Sequence, residues 1–174
     1  LIRELSVRGG LLAGPEGAAY RLLVLRDSDR MTPEAAAKIR KLVKAGAAVL
    51  GPRPRRSPSL SGYPACDLRV REIGDEVWGD CDGKAVTQRA FGKGRVFCGV
   101  TVAEALDALA LPPDFTYACG DAHADVRYVH RRDGQAEIYF VASQGQGSVD
   151  VEASFRVGGL QPELWDPVSG QTRD

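Results

Sequence analysis

Nothing in this sequence reads as a membrane span, because no apolar run approaches the roughly 20 residues that cross a bilayer. An excess of one charge is lacking too. The 23 basic side chains cancel the 23 acidic ones, so no global field attracts nucleic acid or anionic lipid, and partners must be recognised locally. The four cysteines, Cys66, Cys81, Cys98 and Cys119, include no Cys-x-x-Cys pair. Cys119 and His123 are close in sequence without a second ligand pair, which argues against zinc. No metal or cofactor is expected. No Ser or Cys stands in a Gly-x-Ser-x-Gly elbow, the turn that exposes the nucleophile of many α/β hydrolases. Cys98, between Phe97 and Gly99, reads as a buried strand residue. The run Gly92-Lys93-Gly94-Arg95 lacks the Lys-Ser/Thr pair of a phosphate loop and reads as a plain turn. An initiator Met and a signal-like segment are also missing from Leu1-Ile2-Arg3-Glu4-Leu5, so the start reads as a processing boundary.

What is present is a chain of 174 residues, 44% hydrophobic, long enough for one domain and a small or partial second one. Tyr20 to Leu25 is an apolar run after a Gly/Pro turn and predicts a buried strand. Thr32-Pro33-Glu34 then combines an N-cap, a first-turn proline and a dipole-matched acid. Ala35, Ile39, Leu42 and Val43 follow at helical spacing, and Gly46 stops the helix. Ala47 to Leu50 is a second apolar strand, so the segment reads as a βαβ unit and predicts a parallel sheet. Upstream, Gly9-Gly10 suits a short hairpin, with a helical turn as the alternative.

Gly51 to Ala65 carries Pro52, Pro54, Pro58 and Pro64 and must be a loop at the carboxyl end of the second strand, where open α/β sheets bind ligands. Its Arg53, Arg55 and Arg56 are candidate substrate-binding groups, set against the reading of a stiff, solvated loop. Asp67 to Trp78 mixes strand alternation with helical spacing and leans to a short helix. Ala85-Val86-Thr87 and Arg95 to Val100 predict strands around the turn Phe91 to Gly94. Thr101 and Glu104 form a capping box before an Ala-Leu-rich helix that ends near Pro112-Pro113.

Beyond Pro113 the pattern turns to β. Two β-rich runs, 126–131 and 137–142, flank Asp133-Gly134 and predict a hairpin. Val149 to Val157 alternates strictly, as in a half-buried antiparallel strand. Glu163 to Asp166 is a further strand before the turn Pro167 to Gly170, after which few residues remain to form its partner. Four short strands without an opposed sheet are marginal, so the covering layer is expected elsewhere in a longer polypeptide. The resulting expectation is an α/β domain over residues 1–113, a small open parallel sheet, followed by a partial antiparallel β domain over 114–174.

Cys66 and Cys81 lie 15 residues apart in loop-rich sequence and are a candidate disulfide in an oxidising compartment. Glu72, Asp75, Glu76, Asp80 and Asp82 cluster, and paired carboxylates are the machinery of glycosidases, but with no aromatic-lined cleft evident a solvated face and a turn is the better reading. His123 and His130 take structural or surface roles by default. Trp78 and Trp165 offer faces to sugar rings, and aromatics near element ends are more often core.

Met31-Thr32-Pro33-Glu34, Gly51 to Leu60, Gly62-Tyr63-Pro64, Phe91 to Val96, Tyr128 to Arg132, Ile138 to Ala142 and Pro162 to Pro167 together resemble the glycoside hydrolases of the α-L-rhamnosidase-like, family 106 type. That resemblance covers most of the chain. It implies a large, multidomain, exported (secreted or periplasmic) enzyme that removes rhamnose-like sugars from polysaccharides, with its acid and base on an upstream barrel. The matching part then looks like a flavodoxin- or amidotransferase-like α/β module followed by the start of a β-sandwich, with no catalytic residue to carry over. The expected role is a non-catalytic accessory segment, partnered by other domains of the same polypeptide and by polysaccharide, with Arg53, Arg55, Arg56 and Trp78 as its substrate-binding candidates. A carbohydrate-binding module and an amidotransferase-like hydrolase using Cys98 are the alternatives.

Overall fold

The computed structural model describes residues 4–121, 123–145 and 147–173, without the side chain of Glu16. The chain divides into two units, Leu1–Leu111 and Pro112–Asp174. Both are mixtures of short strands, with the helices confined to the first.

The first unit opens with β1 (Ser6–Arg8) and β2 (Leu11–Ala13), joined through Gly9 and Gly10. Both glycines have positive φ, 56° and 79°, the backbone of the tightest hairpin turns. β3 (Ala19–Tyr20) adds to β2 as a third strand. Tyr20 therefore belongs to this small sheet, paired with Leu12, and is 51% exposed. The predicted buried strand from Tyr20 to Leu25 shrinks to β4 (Leu22–Val24). Its burial is also less than expected, because β4 lies at an edge of the four-stranded sheet β4-β5-β7-β6 and has a neighbour on one side only.

α1 (Pro33–Ala45) forms as the sequence predicts. Thr32 Oγ1 accepts from the Ala35 amide, Pro33 occupies the first turn, and Gly46, at φ 127°, caps the end through bonds to Leu42 and Val43. Its inner face is Ala36, Ile39, Leu42 and Val43, with Ala36 rather than Ala35 fully buried. β5 (Ala48–Leu50) pairs parallel with β4. α2 (Ala65–Trp78) resolves the ambiguous stretch in favour of a helix: Cys66, Val70, Ile73 and Val77 repeat at three-to-four spacing and are buried, while Leu68 is exposed. β6 (Gln88–Phe91) and β7 (Gly94–Phe97) form a hairpin, with β7 parallel to β5 and β6 antiparallel at the far edge. The strand expected at Ala85-Val86-Thr87 is instead loop, its Val86 carbonyl capping the amides of Asp82 and Gly83. The Gly92–Gly94 turn is glycine-rich for steric reasons: a Cβ on Gly92 would stand 2.7 Å from the Lys44 backbone, and one on Gly94 would stand 2.3 Å from the Ala47 and Val43 carbonyls. α3 (Val102–Ala108) starts at the full Thr101–Glu104 capping box.

Pleat alternation distributes the core over both sheet faces. Val49 and Val96 pack with Ile39, Val43, Ile73, Val77 and Trp78 from α1 and α2. Ala48, Leu50 and Phe97 point the other way, against Ala105 of α3. Each such aliphatic side chain contributes roughly 1.5–3 kcal/mol by leaving water.

In the second unit β8 (Phe115–Cys119) pairs with β11 (Val151–Phe155), and β9 (Val126–Asp133) with β10 (Ala136–Ser143) in the expected hairpin. β12 (Leu164–Trp165) and β13 (Thr172–Arg173) close a last small hairpin. Thr172 and Arg173 thus suffice to pair the Leu164–Trp165 strand. Strand β8 has no counterpart in the sequence reading, although Phe115, Tyr117 and Cys119 recur at strand spacing. The expected strand at 149–157 is shorter, and Val151 and Phe155 remain partly exposed. Phe115 anchors the unit: its ring lies 4.9 Å from Tyr128 and 5.2 Å from Phe155, which in turn meets Tyr139 at 4.8 Å. Such aromatic pairs bind strands more by ring area than by regular pleat packing.

Candidate functional site

Strands β4, β5 and β7 run parallel, so their carboxyl ends emerge on one edge of the sheet. The loops leaving them enclose a cleft of about 700 Å³, a size in the range of small-ligand sites. Its floor is apolar, with Leu25 and Leu50 at the strand ends. Gly51 makes the turn out of β5 at φ 157°; a Cβ there would come within 2.6 Å of Leu25, so the residue must lack one.

The Gly51–Ala65 loop is better ordered by contacts than a solvated linker. Pro54 is fully buried, and Gly74 of α2 lies against its carbonyl, where a Cβ would reach 2.4 Å. The amide of Arg55 donates to the Asp29 carbonyl at 2.7 Å, and that of Met31 to the Arg56 carbonyl at 3.0 Å. This pairing pins the loop along residues 29–31.

The four residues offered as substrate-binding groups separate in the structure. Arg53 lines the cleft, but its guanidinium is engaged with the Asp75 carboxylate at 3.1 Å and with the Gly79 and Cys81 carbonyls, so it braces the loop against the end of α2. Arg56 pairs with Asp29 at 3.2 Å on the surface, an interaction worth about 0–1 kcal/mol. Trp78 must be corrected outright: it is 1% exposed, its indole N–H donates to the Gly51 carbonyl at 2.9 Å, and no ring face is free for a sugar. Arg55 alone is both exposed and on the cleft. Asp82, from the acidic cluster, also lines it, as do Asp27 and Lys84, which were not foreseen. The available signal was positional, since each follows or faces a strand end on the same sheet edge.

The acidic cluster does not assemble into paired acid and base. Asp75 serves Arg53, Glu76 pairs with Arg40 at 2.9 Å, and Asp80 lies 3.7 Å from Arg89. Asp82 accepts from the amides of Lys84 and Val86; hydrogen bonds from Val86 and then Lys84 hold its carboxyl below the ordinary range.

The candidate Cys66–Cys81 link is not formed. Cys81 pairs with Cys98, and Cys66 and Cys119 are free. Cys66 lies in the first turn of α2, its thiol directed at the Ser59 carbonyl. The disulfide ties the loop of Asp82–Lys84 to the end of β7, two walls of the cleft. Cys98 is buried, as expected of it, and as a disulfide sulfur it has no thiolate to attack a substrate.

A second polar cluster lies in the other unit. His130 Nδ1 is 2.7 Å from Asp114 and Nε2 is 2.7 Å from Glu137, while the ring stacks on Tyr139 at 4.0 Å. Tyr139 and Arg156 donate to Asp114, and Arg132 to Glu137. With each carboxylate already shared by two or three donors, the cluster fastens β9 and β10 to the chain before β8 and after β11. Among the described residues no group of three or more His, Cys, Asp or Glu side chains is placed to hold a metal ion, and no helix is long and apolar enough to cross a membrane.

Comparison with known proteins supplies the context that the cleft lacks. A "Putative beta-glucuronidase" of Formosa agariphila is 35% identical over 169 residues, which are 97% of this chain and 13% of that protein. The solved rhamnosidase from Novosphingobium sp. PP1Y superposes with a TM-score of 0.85 at 36% identity, over 97% of this chain and 16% of that one. The chain therefore spans about a seventh of the relatives it matches. The family described as alpha-L-rhamnosidase matches residues 1–174 in full, and this chain belongs to that family, the glycoside hydrolases of family 106.

Proposed function

We propose that this chain is a non-catalytic accessory segment of a larger glycoside hydrolase acting on rhamnose-like glycosides. The observation that carries the reading is the coverage: nearly all of this chain aligns with only 16% of a rhamnosidase, so most of such an enzyme is built from other sequence. The engagement of Asp75, Glu76, Asp80 and Asp82 by arginines and backbone amides supports it, because a general acid and base must be free to exchange protons with substrate. On this reading residues 1–113 are a flavodoxin- or amidotransferase-like module, supported by helices on both faces of a sheet with three parallel strands, and 114–174 begin a β-sandwich. Its partners are the other domains of the polypeptide, with the Gly51–Ala65 loop shaping the substrate cleft. An exported setting is supported by the Cys81–Cys98 disulfide.

The test is hydrolysis of an aryl α-L-rhamnoside. The full-length enzyme is expected to turn it over, while the 174-residue segment, shown folded by circular dichroism, releases no more aglycone than buffer. Turnover by the folded segment would refute the proposal. The alternative of a carbohydrate-binding module is favoured by one observation, Trp165 at 69% exposure, which offers an open ring face. Calorimetry against rhamnose oligosaccharides, with Trp165→Ala as control, decides it: absence of heat at millimolar ligand removes this second reading.

A further inference from the structure

The charged groups around the cleft divide into two kinds. Arg53, Asp29 and Asp82 are already satisfied, by Asp75, by Arg56 and by backbone amides. Asp27, Arg55 and Lys84 are exposed, line the same cleft from three different segments, and have no hydrogen-bonding or ionic partner for their side chains among the described residues. The frame that carries them is stiff. Cys81–Cys98 joins two walls, and Gly83 and Gly99 are in backbone contact, since a Cβ on Gly99 would lie 2.0 Å from the Gly83 carbonyl oxygen. A stiff frame spares a ligand the cost of ordering the loops, leaving only the side chains of Arg55, Lys84 and Asp27 to be immobilised.

We infer that this cleft binds a uronate-bearing stretch of the glycan, with Arg55 and Lys84 on the sugar carboxylate, Asp27 accepting from ring hydroxyls, and the Leu25–Leu50 floor against the apolar face of the neighbouring sugar. This inference rests on the accessory reading given above. A single carboxylate fits the charge count. A neutral sugar would satisfy Asp27 and leave both cations unanswered, whereas a phosphate dianion exceeds the single net positive charge that Asp27, Arg55 and Lys84 leave unpaired. A guanidinium suits the planar carboxylate as a fork, and the lysine adds a point charge. Sugar hydroxyls donating to an aspartate complete the pattern of few polar groups above an apolar floor.

The experiment titrates the full-length enzyme calorimetrically with a rhamnosyl-uronate oligosaccharide and with the same compound after carboxyl reduction. The acidic form is expected to bind at least fivefold more tightly. That advantage should fall to less than twofold in Arg55→Gln and in Lys84→Gln, both exposed positions, and should shrink with added salt. Equal affinity of the wild type for the two compounds, or an advantage that survives both substitutions, overturns the inference and leaves the accessory role standing. Release of aglycone from an aryl α-L-rhamnoside by the folded 174-residue segment is the separate result that overturns the accessory role itself.

Discussion

The indole N–H of Trp78, at the end of α2, donates to the carbonyl of Gly51, the residue that turns the chain out of β5 into the cleft wall, at 2.9 Å. This bond fixes the helix end and the loop start together inside the core. Trp78→Phe keeps an aromatic ring but leaves that buried carbonyl without its donor, at an expected cost of about 1–3 kcal/mol. Trp78→Ala adds a cavity and should cost about 3–5 kcal/mol. Urea unfolding of the two variants measures both; a Phe variant as stable as wild type would show that the hydrogen bond carries none of the stability.

The Cys81–Cys98 disulfide spans 17 residues of sequence, a loop for which chain entropy gives about 3 kcal/mol. The Cys81→Ser, Cys98→Ser double variant is therefore expected to lose about 2–4 kcal/mol, and wild type should lose as much under reductant. Peptide mapping without reduction should recover a linked 81–98 pair and a free Cys66 that alkylates only on unfolding. Recovery of a Cys66–Cys81 peptide would contradict the structure.

How far these features were legible beforehand follows from the range of the forces involved. Thr32-Pro33-Glu34, Gly46 and the Thr101–Glu104 box are local signals, and α1 and α3 appear where they place them. Gly9-Gly10 and Gly134 likewise mark their hairpins. What was misread depends on partners distant in sequence. Tyr20 continues the apolar run of Leu22 to Leu25, but pairing with Leu12 draws it into another sheet. Trp78 and Trp165 look alike as candidate sugar platforms, and only the α1–α2 core, with the bond to Gly51, buries one of them. Cys81 is nearly equidistant in sequence from Cys66 and Cys98, so its partner is chosen by the sheet that brings β7 beside it. Of the candidate site, the location at the carboxyl edge was inferable from the βαβ pattern, and Arg55 from its loop. Asp27 and Lys84 required the strand order.

Gly99 offers a sharp steric test of the cleft wall. Its φ is 69°, and a Cβ would meet the Gly83 carbonyl oxygen at 2.0 Å and the Gly83 Cα at 2.6 Å, with backbone rather than a flexible side chain on the far side. Gly99→Ala is expected to destabilise by at least about 1–3 kcal/mol through the backbone conformation alone and to displace the Asp82–Lys84 loop. Gly158→Ala is the control, because no atom lies within 4 Å of its Cβ position; it should leave the melting temperature nearly unchanged. Comparable shifts for the two variants would argue against the Gly83–Gly99 contact.

The Asp114–His130–Glu137 cluster predicts how the second unit responds to acid. Glu137 is held below the ordinary glutamate range by hydrogen bonds from Arg132 and then His130, against an opposing effect of burial. For Asp114 burial is the largest influence and raises the value, but hydrogen bonds from His130, Tyr139 and Arg156 and the His130 charge together outweigh it, and the carboxyl is again lowered. A carboxyl whose folded value is depressed binds protons more readily in the unfolded chain. Its stabilising contribution is thus complete above the unfolded value, about 4, and disappears as pH falls through the lower folded value. Carboxyl-carbon NMR titration should place both midpoints below those of exposed Asp and Glu residues, and denaturant stability should decline with pH below about 4. Glu137→Gln, which cannot titrate, should make that decline shallower. An unchanged slope in the Gln variant would show that the hydrogen bonds to Glu137 are no stronger in the folded protein than those of water in the unfolded one.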